Sequence, residues 1–244
     1  MKYFEISKYL LLNFFFLGFA LHFYSNTYYI SSVSGNDNND GLSTQYPFKT
    51  IHKLNSISFN PGDSILFKSA ESFSGMFWLK GSGTEELPIV LSSYQGEQKP
   101  IINGDGYQSC ILIYNDEHIS ISNLELFNEG SYLDTLGEAK KIDGFGGAYN
   151  DWGSGKNVRF GIKIVGDSKS LQNFKINNLY IHDIYPTPTN ENKTHQGYAI
   201  KLETTSDADN SLYHTISNVE FKALNVTKTG HYGIWIKSLG LVGI

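Results

Sequence analysis

The sequence predicts an all-β chain wound as a right-handed parallel β-helix, and three observations carry that expectation. Beyond residue 63 the apolar residues fall in short alternating runs, with no sustained helical period. Those runs repeat: Ile121-Ser122-Asn123-Leu124-Glu125-Leu126 matches Ile176-Asn177-Asn178-Leu179-Tyr180-Ile181, and both match Ile216-Ser217-Asn218-Val219-Glu220-Phe221. A second strand precedes each, as Cys110-Ile111-Leu112-Ile113, Gly161-Ile162-Lys163-Ile164 and Ala199-Ile200-Lys201-Leu202, with a fourth copy at Gly233-Ile234-Trp235-Ile236. The asparagines are 55 and 40 residues apart, from 123 to 178 and from 178 to 218, so length varies in one loop per unit. Each unit reads strand, turn, strand, Asn turn, strand, loop, and roughly four such coils are present. Asn suits the sharp bend because it tolerates the left-handed backbone region and its amide can bond along a stack. Propellers and leucine-rich repeats keep more constant periods.

Three regions follow in order. Residues 1–20 read as a signal peptide: Lys2 and Lys8 precede an apolar run from Tyr9 to Leu21, and Gly18-Phe19-Ala20 offers a cleavage site after Ala20. The run is shorter than the roughly 20 apolar residues of a membrane span. The expectation is an exported chain, periplasmic or extracellular, with no membrane contact in its mature form.

Residues 21–62 read as a strand (Tyr28–Val33), a turn and a capping helix. Within the turn, Asn36-x-Asn38-x-Asp40-Gly41 looks like the start of a calcium loop. Pro47 occupies the position of the bidentate glutamate, which excludes an EF-hand and leaves an Asx-rich turn. Calcium stays open as a cofactor, with no site specified. Phe48, Ile51, Leu54 and Ile57 recur every third residue, as in a short amphipathic helix capped by Ser43 or Thr44. Pro61-Gly62-Asp63 ends it, and the helix would cover the open end of the stack. Residues 63–244 are the β-helix coils. The chain stops after Lys237-Ser238-Leu239-Gly240 and a few more residues, soon after a new coil begins, and the expectation is a truncated fragment.

Composition limits the partners. A formal charge of −5 argues against nucleic acid, which needs clustered cations. Arg159 is the only arginine, so a bidentate guanidinium clamp occurs at most once. Cys110 has no partner for a disulfide and reads as a small buried hydrophobe. Aromatic residues reach 14%, which serves a ladder-stacked core and offers rings for sugars.

The stretch Gly35-Asn36-Asp37-Asn38-Asn39-Asp40-Gly41, then Pro47-Phe48-Lys49-Thr50-Ile51 and Pro61-Gly62-Asp63, resembles the amino-terminal cap of pectate-lyase-like β-helix proteins. Gly81-Ser82-Gly83-Thr84, Leu87-Pro88-Ile89-Val90 and Ile101-Ile102-Asn103-Gly104 are similar to the first coil of secreted polysaccharide lyases and related glycosidases. The resemblance implies a polysaccharide partner, and it fixes architecture better than reaction.

Strand alternation then selects candidate site residues. With Ile111/Ile113, Ile162/Ile164, Ile200/Leu202 and Ile234/Ile236 inward, one outward column is Leu112, Lys163, Lys201, Trp235. Its neighbour is Tyr114, Val165, Glu203, Lys237. On an exposed face, Lys201 or Lys163 would serve as the base or the carboxylate-neutralising cation of a lyase. A hydrolase instead wants two carboxylates, Glu203 with Asp183 as the nearest partner. Trp235 and Lys237 would contact sugar. Two long loops, residues 129–159 and 185–196, add Trp152 and Tyr149 as stacking platforms and His195 as a base or metal ligand; His182 and His231 read as structural. No metal spacing, nucleophile triad or phosphate loop is evident. The reading is a monomeric, exported β-helix acting on an acidic polysaccharide, lyase slightly favoured over hydrolase. The alternatives are a noncatalytic glycan-binding or surface-structural β-helix, or an inactive fragment.

Overall fold

The structure, a computed structural model, describes residues 25–129, 140, 158–186, 196–205 and 213–238. The signal segment, Tyr149, Trp152 and His195 lie outside these residues. Strand β1 (Thr27–Ile30) and the one-turn helix α1 (Ile51–Leu54) precede the coils. The first coil is β2 (Ser64–Lys68), β3 (Ser72–Ser74) and β4 (Phe77–Leu79); the second is β5 (Ile89–Tyr94), β6 (Ile101–Asn103) and β7 (Ser109–Tyr114). The third is β8 (Ile119–Ser122), β9 (Glu125–Asn128) and β10 (Val158–Gly166). The fourth is β11 (Leu171–Asn177), β12 (Tyr180–Ile184) and β13 (Gln196–Thr204). A fifth follows as β14 (Ile216–Lys222), β15 (Asn225–Val226) and β16 (Tyr232–Lys237). The first coil escaped the expected tally of four because Phe77-Trp78-Leu79 lacks the small-residue-plus-Ile signature of the later copies.

The three strands of each coil enter three different sheets, and every pairing between coils is parallel. Sheet A is ordered β1-β2-β5-β8-β11-β14, sheet B β3-β6-β9-β12-β15, and sheet C β4-β7-β10-β13-β16. This is a parallel β-helix. Its core is three ladders of aligned side chains. Sheet A contributes Ile65, Leu91, Ile121, Ile176 and Phe221; sheet B contributes Phe73, Ile102, Leu126, Ile181 and Val226. Sheet C contributes Phe77, Ile111, Ile162, Ile200 and Ile234. Each fully buried rung stabilises by about 1.5–3 kcal/mol. In the last described coil the inward residues are open, with Ile234 41% and Ile236 51% exposed.

Two corners fix the register. At the A–B bend Asn123, Asn178 and Ala223 all take positive φ, at 59°, 50° and 50°. The Asn178 amide donates to Asn123 Oδ1 at 2.8 Å, and Asn123 donates to Ser92 Oγ at 3.1 Å. The Asn stack is therefore present, but its third member is not Asn218. Register pairs Asn177 with Lys222, so Phe221-Lys222-Ala223-Leu224 is the true third copy, 45 residues beyond Asn178. Asn218 belongs with His118 and Asn173 in a second positive-φ ladder where the sheet A strands begin. At the B–C corner the small residues Cys110, Gly161, Ala199 and Gly233 are stepped over by the pairing. A Cβ on Gly161 would lie 2.6 Å from the Ala199 carbonyl oxygen, so the coils close tightly there. Cys110 is the buried hydrophobe expected, its thiol pushed up to about 12 by burial.

The cap is also as expected, with one correction. Phe48, Ile51 and Leu54 are buried, but the helix is capped by Thr50, whose side chain accepts from Lys53 N. Ser43 caps only a turn, accepting from Tyr46 N. Asp37 positions Thr50 by accepting from its N–H and hydroxyl and from Lys49 N.

Candidate functional site

Sheet C carries the candidate residues, and its strands set them in the predicted columns. Trp78, Leu112, Lys163, Lys201 and Trp235 share one column; Tyr114, Val165, Glu203 and Lys237 share the next. Lys163, Lys201, Glu203, Trp235 and Lys237 are thus brought together.

The face is not the solvated sheet that alternation implied. Leu112 and Val165 are fully buried and Lys163 is only 4% exposed. Part of the physical reason is the step at the small-residue corner. It turns Phe160, Tyr198 and Tyr232 outward as well, one residue before Gly161, Ala199 and Gly233, in a column flanking the lysines. Phe160 and Tyr198 stack at 5.4 Å between centroids, and Tyr198 and Tyr232 at 5.8 Å. The ammonium of Lys163 lies 4.7 Å from the Phe160 centroid, and that of Lys201 lies 4.9 Å from Trp235. Such contacts contribute about 0.5–2 kcal/mol each.

Glu203 is the polar centre. Lys201 Nζ donates to Glu203 Oε2 at 2.8 Å, and Lys237 Nζ stands 3.6 Å from Oε1. Burial alone would raise the Glu203 carboxyl. The hydrogen bond from Lys201 and the charges of Lys201, Lys163 and Lys237 outweigh it and hold the group below the usual carboxylate range. Glu203 is therefore an ionised acceptor and Lys201 its cationic donor. Burial, with the neighbouring Tyr232 and Glu203, pushes the Tyr198 phenol up to about 12, so it stays a donor, here to Gln196 Oε1.

The remaining candidates fall elsewhere. Asp183 belongs to sheet B, bound to His182 Nδ1 at 2.6 Å and Lys228 at 3.4 Å; it does not partner Glu203. His182 has its second nitrogen on Glu125 at 3.1 Å and its ring stacked on Tyr180. His231 had also read as structural, yet it stacks on Tyr232 at 4.1 Å, beside the cluster. Sequence reasoning missed the outward column of Phe160, Tyr198 and Tyr232. The signal was available as the aromatic residue before Gly161-Ile162, Ala199-Ile200 and Gly233-Ile234. Among the described residues no group of three His, Cys, Asp or Glu side chains is arranged to hold a metal. In the Asx-rich turn Asn36 and Asp40 accept from the Asn38 and Leu42 N–H groups, while Asp37 accepts from the Lys49 and Thr50 N–H groups and the Thr50 hydroxyl of the cap.

No family model matches the chain. It is 28% identical, over 190 residues, to a lacto-N-biosidase of Bifidobacterium longum subsp. longum, with 65% of this chain covered. The native GH136 lacto-N-biosidase from Eubacterium ramulus superposes with a TM-score of 0.66 at 24% identity, over 87% of this chain. Its selenomethionine derivative gives 0.64 over 86%. The resemblance to β-helix glycosidases read from the sequence holds for the fold. The chain spans 12% of the length of the curated relative and 36% of the native crystal chain.

Proposed function

We propose that this chain is an exported, glycan-directed β-helix of the glycosidase kind, and that the β13–β16 end of sheet C meets the sugar chain. The observation that carries this reading is the 28% identity to a lacto-N-biosidase across 65% of the chain. The side chains agree with it. Tyr232, Trp235 and Lys237 stand at the accessible end of the cluster and offer two ring faces and an ammonium to a hydroxyl or acid group.

The similarity to a lacto-N-biosidase favours hydrolysis over β-elimination, and the cluster offers no free base. Elimination needs a neutral base beside the acidic C–H, whereas Lys201 is a cation donating to Glu203. Lys163 is nearly inaccessible against Phe160. A binding-only role is the second reading, and one observation supports it: among the described residues no second carboxylate is paired with Glu203, while glycoside hydrolysis uses two.

The test is turnover by the purified chain without residues 1–20, on a nitrophenyl glycoside of lacto-N-biose and on a panel of acidic polysaccharides. Release of nitrophenol is the expected result. Ultraviolet absorbance from an unsaturated uronate would favour elimination instead. Binding without turnover would favour the second reading, and neither binding nor turnover would overturn both. Export is tested by amino-terminal sequencing of secreted protein, with cleavage after Ala20 expected.

A further inference from the structure

At the other end of sheet C, helix α1, strand β4 and the Asp105–Tyr107 turn surround an open pocket of about 310 Å³. Trp78 forms one wall and heads the column that Trp235 closes. Four strand steps of about 4.8 Å put these tryptophans roughly 19 Å apart, with buried Leu112 and Lys163 between them. The pocket is therefore separate from the Glu203 cluster.

Its walls are held from both sides. Asn55, just after α1, accepts from Trp78 N and donates to Met76 O, each at 2.9 Å, and its carbonyl accepts from Lys80 Nζ. That ammonium also lies 5.1 Å from the Trp78 centroid. Opposite, Asn103 Oδ1 accepts from Asp105 N at 2.9 Å in a turn with Asp105 at φ 47°. The Asp105 carboxylate pairs with Lys140 at 2.7 Å. Gly75 contributes no side chain at φ 117°, which leaves the space open; only an Ile51 methyl would approach a Cβ there, at 3.9 Å.

The pocket thus combines indole and phenol surface from Trp78 and Tyr107 with a carboxylate paired to Lys140 and an ammonium that donates to the Asn55 carbonyl and lies over the Trp78 ring. Small-ligand sites begin at about this volume and have this mixture of ring surface and a few polar groups. The carboxylate is already paired and the ammonium already engaged by a carbonyl and a ring, so neither is left free to anchor an ionic ligand. A neutral molecule with one apolar face and a hydroxylated rim gains most. A pyranose is such a molecule: its C–H face packs on an aromatic ring while its hydroxyls donate to a carboxylate and accept from an ammonium. We infer that this pocket is a subsite for a neutral hexose unit.

The test is titration calorimetry with saturation-transfer NMR on the full chain, with galactose, glucose and N-acetylglucosamine as probes. At least one sugar should bind, at least about tenfold more weakly to Tyr107→Ala and Asp105→Asn, with the exposed Tyr46→Ala, outside both sites, unchanged. Asp105→Asn keeps the side-chain shape and decides the matter if Tyr107→Ala fails to fold. No binding of the three sugars to folded wild type overturns the assignment. So does binding that survives in the folded pocket variants. Because Asp105 and Tyr107 lie at the opposite end of the sheet from the Glu203 cluster, failure of the glycosidase reading leaves this result standing.

Discussion

Glu203 and Ala223 show how single side chains set the behaviour of this fold. Glu203 is ionised because Lys201 and Lys237 surround it, so Glu203→Gln leaves two ammonium groups facing an amide. The expected loss is about 1–3 kcal/mol at neutral pH, measured by denaturant unfolding. The sign of the pH dependence follows from the lowered folded value. The contribution is complete above the ordinary glutamate value of 4.5 and is lost as pH falls through the lower folded value. As pH falls below 4.5, wild-type stability should therefore fall more steeply than that of Glu203→Gln. Ala223 occupies a left-handed position, φ 50°, that its two predecessors fill with asparagine. Ala223→Asn should relieve strain of about 1 kcal/mol and extend the amide stack, raising Tm by a few degrees.

Among the strands and turns, the close corner at Gly161 and the Asp37–Thr50 cap are the most sensitive places. In Gly161→Ala the new methyl meets the Ala199 carbonyl at 2.6 Å and the Ile181 methyl at 2.8 Å. Two coils must shift, and a loss of about 1–3 kcal/mol is expected on thermal unfolding. The sheet C register was readable from residues 110–113, 161–164, 199–202 and 233–236 because each copy starts with a small residue at the same corner. The third Asn turn was not. Asn218 sits in a motif that imitates Asn123 and Asn178, while the residue that makes the bend is an alanine. An Asx-type pattern reports a backbone conformation that other residues also adopt when packing on both sides enforces it. The capping residue was missed for a related reason: Thr50 is selected by Asp37, thirteen positions away.

Across the chain as a whole, stacking order controls stability, since each coil contacts only its neighbours. Strands β7 and β10 lie inside the stack, whereas β14 to β16 leave Ile234 and Ile236 open. Hydrogen exchange should therefore be slowest in β7 and β10; protection there no greater than in β1 and the cap turns would contradict a stack held by its inner coils. The β-helix was legible because its repeats are local. What covers or opens each face was not, because alternation distinguishes inside from outside but not solvent from contact. Lys163 looked accessible and is buried. The pocket beside Trp78 is built from α1, β4 and a turn far apart in sequence, so no motif announces it.

The most direct measurement is titration calorimetry of an oligosaccharide ending in lacto-N-biose into the purified chain and into Trp235→Ala. The expected result is binding to wild type that weakens at least about tenfold in the variant, with unchanged circular dichroism and melting. Equal affinity in the two folded proteins, or no binding to folded wild type, would contradict a glycan site at the β13–β16 end of sheet C.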